Sequence, residues 1–259
     1  MSTQPIGIFD SGVGGTSIYK EIEALLPNEN TIYLADSANA PYGNKTAEEI
    51  LELSIKNTEL LLNKNCKLII VACNTATTNA IKTLRTTYNV PFIGIEPAIK
   101  PASLNSKTKA VGILATKGTL SSALFHNTTN LYRNDVQVIE QDGDGIVPLI
   151  EAGQTLSKDM ESLLKQYLKP MIAANIDYLV LGCTHYPYLL PLLLQLLPKH
   201  VKIIDSGEAV ARQTKAILKI KALLNTQTIP ATHEFYTNGN PNVMHDLLGH
   251  SYTVNVWNF

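Results

Sequence analysis

An excess of basic charge is absent from this 259-residue chain: 21 lysines and arginines stand against 22 aspartates and glutamates, for a net charge of −1. Without a strong positive field to hold a polyanion, a nucleic-acid partner is not expected. Cysteine is equally scarce. Cys66, Cys73 and Cys183 are too few and too odd in number for a disulfide framework, and none forms a C-x-x-C pair, so a reducing, cytoplasmic compartment fits best. No apolar run approaches the roughly 18 residues that a membrane span requires. The opening Met1-Ser2-Thr3-Gln4-Pro5 lacks a basic stretch, and the chain is expected to be soluble and unprocessed, with no membrane partner. His126, His200, His233, His245 and His250 are scattered without ligand spacing, so no metal site is expected. There is no G-x-x-x-x-G-K-[ST] loop. Gly12-Val13-Gly14-Gly15 imitates a dinucleotide loop, but counting G-x-G-x-x-G from Gly12 places Ser17 where the third glycine belongs.

What the chain has instead is a series of short apolar runs that end in small or polar residues. They are Ile6-Gly7-Ile8-Phe9, Thr31-Ile32-Tyr33-Leu34, Leu68-Ile69-Ile70-Val71-Ala72, Phe92-Ile93-Gly94-Ile95, Ala110-Val111-Gly112-Ile113-Leu114, Tyr178-Leu179-Val180-Leu181 and Val201-Lys202-Ile203-Ile204. Near-continuous apolar strands alternating with helices predict an α/β fold with mostly parallel sheets covered on both faces. Thr46-Ala47-Glu48-Glu49 marks a capped helix start, with the helix running to about residue 63. A second helix spans roughly 156–174, with Pro170 kinking or interrupting it.

The chain also repeats itself. Ile6-Gly7-Ile8-Phe9 recurs 105 positions on as Val111-Gly112-Ile113-Leu114, and Ile70-Val71-Ala72-Cys73-Asn74 recurs 110 on as Val180-Leu181-Gly182-Cys183-Thr184. Two pseudosymmetric α/β units are therefore expected, each with a third strand ending in cysteine. The first comprises residues 1–98 plus 208–259 and the second 99–207. A linker over 100–109 and a second crossing near Ser206-Gly207 join them.

In open parallel sheets, ligands collect at the carboxyl ends of the strands. The polar residues Asp10-Ser11-Gly12, Asp36-Ser37, Cys73-Asn74-Thr75, Glu96, Thr116, Cys183-Thr184-His185 and Asp205-Ser206 all fall there. Cys73 and Cys183 each precede a helical start, which favours the thiolate over the reference pKa of about 8.5; the alternative is that each is a small buried hydrophobe. Facing each other across a cleft, one thiol could remove a proton from a carbon while the other delivers one, inverting a stereocentre. Asp10 and His185 are the candidate tuners of the two thiols, unless they serve as a helix cap and a structural histidine. In Ala40-Pro41-Tyr42-Gly43, backbone N–H groups and the Tyr42 hydroxyl are placed to meet a ligand carboxylate, or the segment is an ordinary turn. Asn74, Thr75 and Thr184 offer neutral donors suited to a small zwitterion, or cap helices.

These stretches resemble the signatures of bacterial glutamate racemases. The resemblance rests on Phe9-Asp10-Ser11-Gly12-Val13-Gly14-Gly15, Pro41-Tyr42-Gly43, Ala72-Cys73-Asn74-Thr75-Ala76 and Leu181-Gly182-Cys183-Thr184-His185-Tyr186-Pro187. Ile95-Glu96-Pro97, Leu114-Ala115-Thr116-Lys117-Gly118-Thr119 and Asp205-Ser206-Gly207 extend it over roughly residues 6–214. It implies a cofactor-independent isomerase acting on glutamate between its two domains, supplying D-glutamate for peptidoglycan. By the same resemblance Cys73 takes the α-proton of the D-isomer and Cys183 that of the L-isomer. Asp10, Ser11, Tyr42, Gly43, Asn74, Thr75, Thr184 and His185 contact the amino acid, while Asp10, His185 and Glu151 assist the thiols. Asn39 departs from the family, which often has arginine there, and Gln141-Asp142-Gly143-Asp144-Gly145 stands where many members carry a Cys-Pro pair. The rival readings are an aspartate or other amino-acid racemase and a non-catalytic amino-acid sensor. A homodimer is compatible with the chain.

Overall fold

The computed structural model describes residues 2–132, 135–227 and 229–259; Met1, with which the first expected unit begins, lies outside them. Among the described residues, ten strands form two sheets. In chain order they are β1 (Ile6–Asp10), β2 (Thr31–Ala35), β3 (Leu68–Val71), β4 (Phe92–Gly94), β5 (Ala110–Ala115), β6 (Gln137–Asp142), β7 (Tyr178–Gly182), β8 (Lys202–Ile204), β9 (His233–Thr237) and β10 (Val254–Val256). The first sheet has the order β10-β9-β2-β1-β3-β4 and the second β6-β5-β7-β8. All the pairings between these strands are parallel.

The internal repeat is visible in this order. β1 lies between β2 and β3 as β5 lies between β6 and β7, and β4 and β8 follow as the corresponding outer strands. The first sheet adds β9 and β10, because the chain returns to β2 after completing the second sheet. Strand alternation divides the core. Ile6 and Ile8 of β1, with Ala110 and Leu114 of β5, belong to one buried cluster that spans both sheets. Phe9 faces a separate cluster over the first sheet, and Val111 and Ile113 face another over the second. Strands buried on both faces must be apolar throughout, which is why β1, β3 and β5 were legible.

The helix Ala47–Asn63 begins on Thr46 with a complete capping box to Glu49, a feature worth about 1 kcal/mol. The helix Lys158–Ala173 runs uninterrupted through Pro170, so of the expected kink or interruption the interruption does not occur. Pro170 and Gln166, whose carbonyl loses its partner, are both exposed, so water can solvate the freed group. The expected linker over 100–109 is also corrected, since Ile99–Asn105 is a helix. Pro101 falls in its first turn, where no intrahelical N–H bond is needed. The crossing near Ser206-Gly207 is the start of the helix Gly207–Ile220. No helix of the described residues is long and apolar enough to cross a membrane.

Candidate active site

The carboxyl ends of β1, β2 and β3 meet those of β5 and β7, and the chemistry-bearing side chains converge there. Asp10, the last residue of β1, is fully buried. Its Oδ1 accepts the Ser11 N–H at 2.7 Å, and its Oδ2 accepts the Gly15 N–H at 2.5 Å and the Thr184 hydroxyl at 3.2 Å. The helix Thr16–Leu25 is capped by Gly15, without a side-chain bond from its cap residue, so Asp10 is not its N-cap. Burial pushes the Asp10 carboxyl up to about 6, against the opposing pull of His185 and the two backbone N–H groups.

Cys73 caps the helix Asn74–Thr87, its sulfur accepting the Ala76 N–H at 3.4 Å and lying 3.6 Å from the Ser11 hydroxyl. The helix start favours the thiolate as expected, through the Ala76 N–H, but other effects outweigh it. Burial raises the Cys73 thiol well above its ordinary range and the Asp10 charge raises it further, outweighing the Ala76 amide and Ser11. Cys73 is thus a neutral thiol at rest. A negative charge on Cys183 would also disfavour a Cys73 thiolate. Contacts connect them: Cys73 to Ser11, Ser11 to Asp10, and Asp10 to Thr184, the neighbour of Cys183.

The Cys183 sulfur lies 3.7 Å from His185 Nδ1, while His185 Nε2 is 2.6 Å from Glu151 Oε1. Nε2 is also 3.2 Å from the Gly14 amide. One ring nitrogen cannot accept from Gly14 and donate to Glu151 at once; the shorter, charge-assisted contact decides for a protonated Nε2. Burial opposes a charged ring, but Cys183 and Glu151 on either side raise His185 well above the usual histidine range. Glu151 is held below the usual carboxylate range despite burial, by His185, the Val13 N–H and the Ser37 hydroxyl. The imidazolium therefore supplies a counter-charge beside the Cys183 sulfur.

The glycine-rich loop that imitates a nucleotide motif is explained by these contacts. A Cβ at Gly12 would lie 1.9 Å from Glu151 Oε1, and one at Gly14 would lie 2.2 Å from His185 Nδ1. Bare backbone at both positions lets Glu151 and His185 dock against the end of β1.

The other expected site residues are also here. Ser11, Asn74, Thr75 and Thr184 are all buried. Thr75 bonds across to Thr116 at 2.8 Å and Thr119 at 3.3 Å. Tyr42 and Gly43 lie in a short 3-10 turn, Tyr42–Asn44, where Gly43 approaches Thr116. The Tyr42 hydroxyl, expected to meet a ligand, is already engaged: it donates to Asp36 Oδ2 at 2.5 Å and accepts from Asn57 at 3.1 Å. Its single proton belongs to Asp36, so only the turn's backbone is left as a donor to a carboxylate. Asn74 is the opposite case, because both its amide nitrogen and its amide oxygen are buried without a partner. A buried primary amide left unpaired costs on the order of 1–3 kcal/mol per group, so both Asn74 atoms are available to a ligand beside Cys73. Asn39, at the departure from the family pattern, donates to Asp36 at 2.8 Å. Tyr188, which bonds Thr16 at 2.6 Å, was missed, since an isolated hydroxyl carries no local pattern; Ser37 was placed at a strand end with Asp36 but given no role. Among the described residues, no three His, Cys, Asp or Glu side chains are grouped so as to hold a metal ion.

The profile of Asp/Glu/hydantoin racemases matches residues 6–214. This chain belongs to that family. The racemase family relationship extends to individual members. A glutamate racemase of Herpetosiphon aurantiacus is 46% identical over 241 residues, covering 93% of this chain and 95% of the relative. The crystal structure of a glutamate racemase from Bacillus anthracis superposes with a TM-score of 0.89 at 29% identity, over 99% of this chain and 98% of that one. The Escherichia coli glutamate racemase, solved with L-glutamate and the activator UDP-MurNAc-ala, gives a TM-score of 0.85 at 33% identity, over 98% of both chains.

Proposed function

We propose that this protein is a glutamate racemase that interconverts L- and D-glutamate with two thiols, needing no cofactor for either proton transfer. The observation that carries the reading is the position of Cys73 and Cys183 at equivalent strand ends, buried together beside the unpartnered Asn74 amide. With L-glutamate, the Cys183 thiolate takes the α-proton: the C–H bond breaks, an S–H bond forms and the electron pair stays on Cα, delocalised into the carboxylate. The Cys73 thiol then gives its proton to the opposite face and becomes the thiolate, and the D-isomer uses the same groups in reverse. Asp10 and His185, with Glu151 behind it, set the charge on the two sulfurs. Asn74, Ser11, Thr75, Thr184 and the turn at Tyr42 and Gly43 hold the amino acid.

The α-proton of an amino acid is a very weak acid, so the transition state needs a dry, preorganised site. Cys73 and Cys183 are only 5% and 8% exposed, as that demands. We further assign residues 1–98 and 208–259 to one domain and 99–207 to the other, which must part to admit substrate. Supply of D-glutamate for peptidoglycan in the cytoplasm is the biological role this reading implies.

In deuterated water, racemisation of L-glutamate should give D-glutamate carrying solvent deuterium at Cα, because different bases serve the two faces. Product that keeps the substrate hydrogen would mean a single shuttling base. If the circular dichroism of L-glutamate never decays, the protein is a sensor rather than an enzyme. Faster turnover of aspartate would transfer the reading to that substrate.

Asp10 sets a pH limb. Its carboxyl, raised to about 6, is ionised above that pH and protonated below it. Activity that needs the carboxylate is therefore complete in the neutral range and lost as pH falls through about 6. The expected kcat/KM profile has an acid limb there, and Asp10→Asn abolishes the limb while lowering the plateau. A limb that survives the substitution belongs to another group.

A further inference from the structure

We propose that Ser37, at the end of β2, is a positioning residue for the Cys183 half-reaction: it grips Glu151, which in turn holds His185 against Cys183. The inference rests on the reading of Cys73 and Cys183 as opposed bases. Glu151 ends the helix Ile146–Glu151, which follows β6. Two of its hydrogen bonds nevertheless come from loops of the first sheet. The Val13 N–H donates to Oε1 at 2.7 Å and the Ser37 hydroxyl donates to Oε2 at 2.8 Å, while His185 meets Oε1 at 2.6 Å. Oε1 is thus shared by two donors and Oε2 depends on Ser37.

Ser37 is itself aimed by the turn after β9. Asn238 Oδ1 accepts the Ala38 N–H at 2.9 Å, and its Nδ2 donates to Asp36 Oδ1 at 2.6 Å. Gly239 packs so closely that a Cβ there would lie 2.6 Å from Ser37 Cβ. The hydroxyl is thereby directed at a carboxylate 114 positions away. The bond from Ser37 to Glu151 joins the end of the first sheet's β2 to the helix following the second sheet's β6, so it forms only when these elements meet. Cys73 has other neighbours, namely Ser11, the Ala76 amide and Asp10, and this latch does not touch it.

Enantiomers have equal free energy, so any variant changes kcat/KM equally in both directions. The discriminating measurement is the isotope effect on kcat/KM, taken separately with α-deuterated L-glutamate and α-deuterated D-glutamate. Ser37→Ala is expected to lower kcat/KM roughly tenfold, the effect of losing one hydrogen bond to a charged group. The slowed Cys183 step then raises the isotope effect for L-glutamate, where it breaks the labelled bond. It lowers the effect for D-glutamate, where it follows that cleavage. Gly239→Ala, which displaces Ser37 without deleting its hydroxyl, should shift the two effects in the same opposite senses. Glu151→Gln is the control for the underlying reading. If Glu151→Gln shifts the isotope effects and Ser37→Ala leaves them unchanged or moves both alike, the role of Ser37 is overturned. If Glu151→Gln also leaves them unchanged, the support of Cys183 by Glu151 is overturned with it.

Discussion

Replacing either Cys73 or Cys183 with alanine is expected to lower racemisation by about 10²–10⁴-fold in both directions, the range lost with a positioned acid or base. Each thiol is needed in both directions, once as base and once as acid, so neither variant should retain a fast direction. Glutamate should still bind, because Asn74, Thr75, Thr184 and the Tyr42 turn are separate from the sulfurs. Chiral chromatography of reactions started from each enantiomer, with calorimetric titration of D-glutamate, checks both halves of the expectation. Full turnover by either alanine variant would remove the two-thiol mechanism. The two variants should differ in what remains. Cys183→Ala takes away the sulfur beside the His185 ring, whereas Cys73→Ala leaves the relay from Glu151 through His185 intact.

The largest effect on stability is expected at the other end of the first sheet. Lys67, just before β3, forms an ion pair with Glu29 in which both side chains are 1% exposed. Lys67 also donates to the Ser2 carbonyl, and Glu29 Oε1 accepts the Asn225 N–H at 2.8 Å. The pair therefore ties the start of the chain and the segment after the helix Gly207–Ile220 to the base of the sheet. Lys67→Met keeps the length of the side chain but strands the Glu29 carboxylate away from water. Breaking a buried pair from one side costs about 3–5 kcal/mol, which lowers Tm by on the order of 10 °C in a chain of this size. The double variant Lys67→Met with Glu29→Leu should recover much of that loss, since no isolated charge remains. Calorimetric unfolding of the two variants tests this. A single variant as stable as the parent would show that water reaches the pair.

The parts of the fold that were legible in the sequence are those where burial dictates composition. β1, β3, β5 and β7 lie inside their sheets and are covered on both faces, and their uninterrupted apolar runs announced them. β9 and β10 were passed over. His233-Glu234-Phe235-Tyr236-Thr237 carries polar side chains along a partly buried strand, and β10 is an edge strand with two of its three residues exposed. The cysteines could be singled out because each follows a buried strand at a repeated position. Glu151 was available only through resemblance, because nothing beside it in sequence signals chemistry. The helix start was read with the right sign at Cys73, but burial and Asp10 outweigh it. A helix start is visible in sequence, whereas complete burial next to Asp10 is a property of the folded chain. Val13 and Ser37 act through one backbone N–H and one lone hydroxyl, across separations of 138 and 114 positions, and no local pattern encodes such partners.

The return of the chain from β8 to the edge of the first sheet dictates an order of assembly on the ribosome. All strands of the second sheet fall between Ala110 and Ile204, so they emerge before β9 exists. The nascent chain can finish its second sheet while β2 still has an open edge, since its neighbour begins only at His233. An unpaired parallel edge of apolar residues is a template for misassociation. Until β9 is made, that edge depends on chaperones or on speed, and a pause in translation between Ile204 and His233 is more hazardous than one within the second sheet.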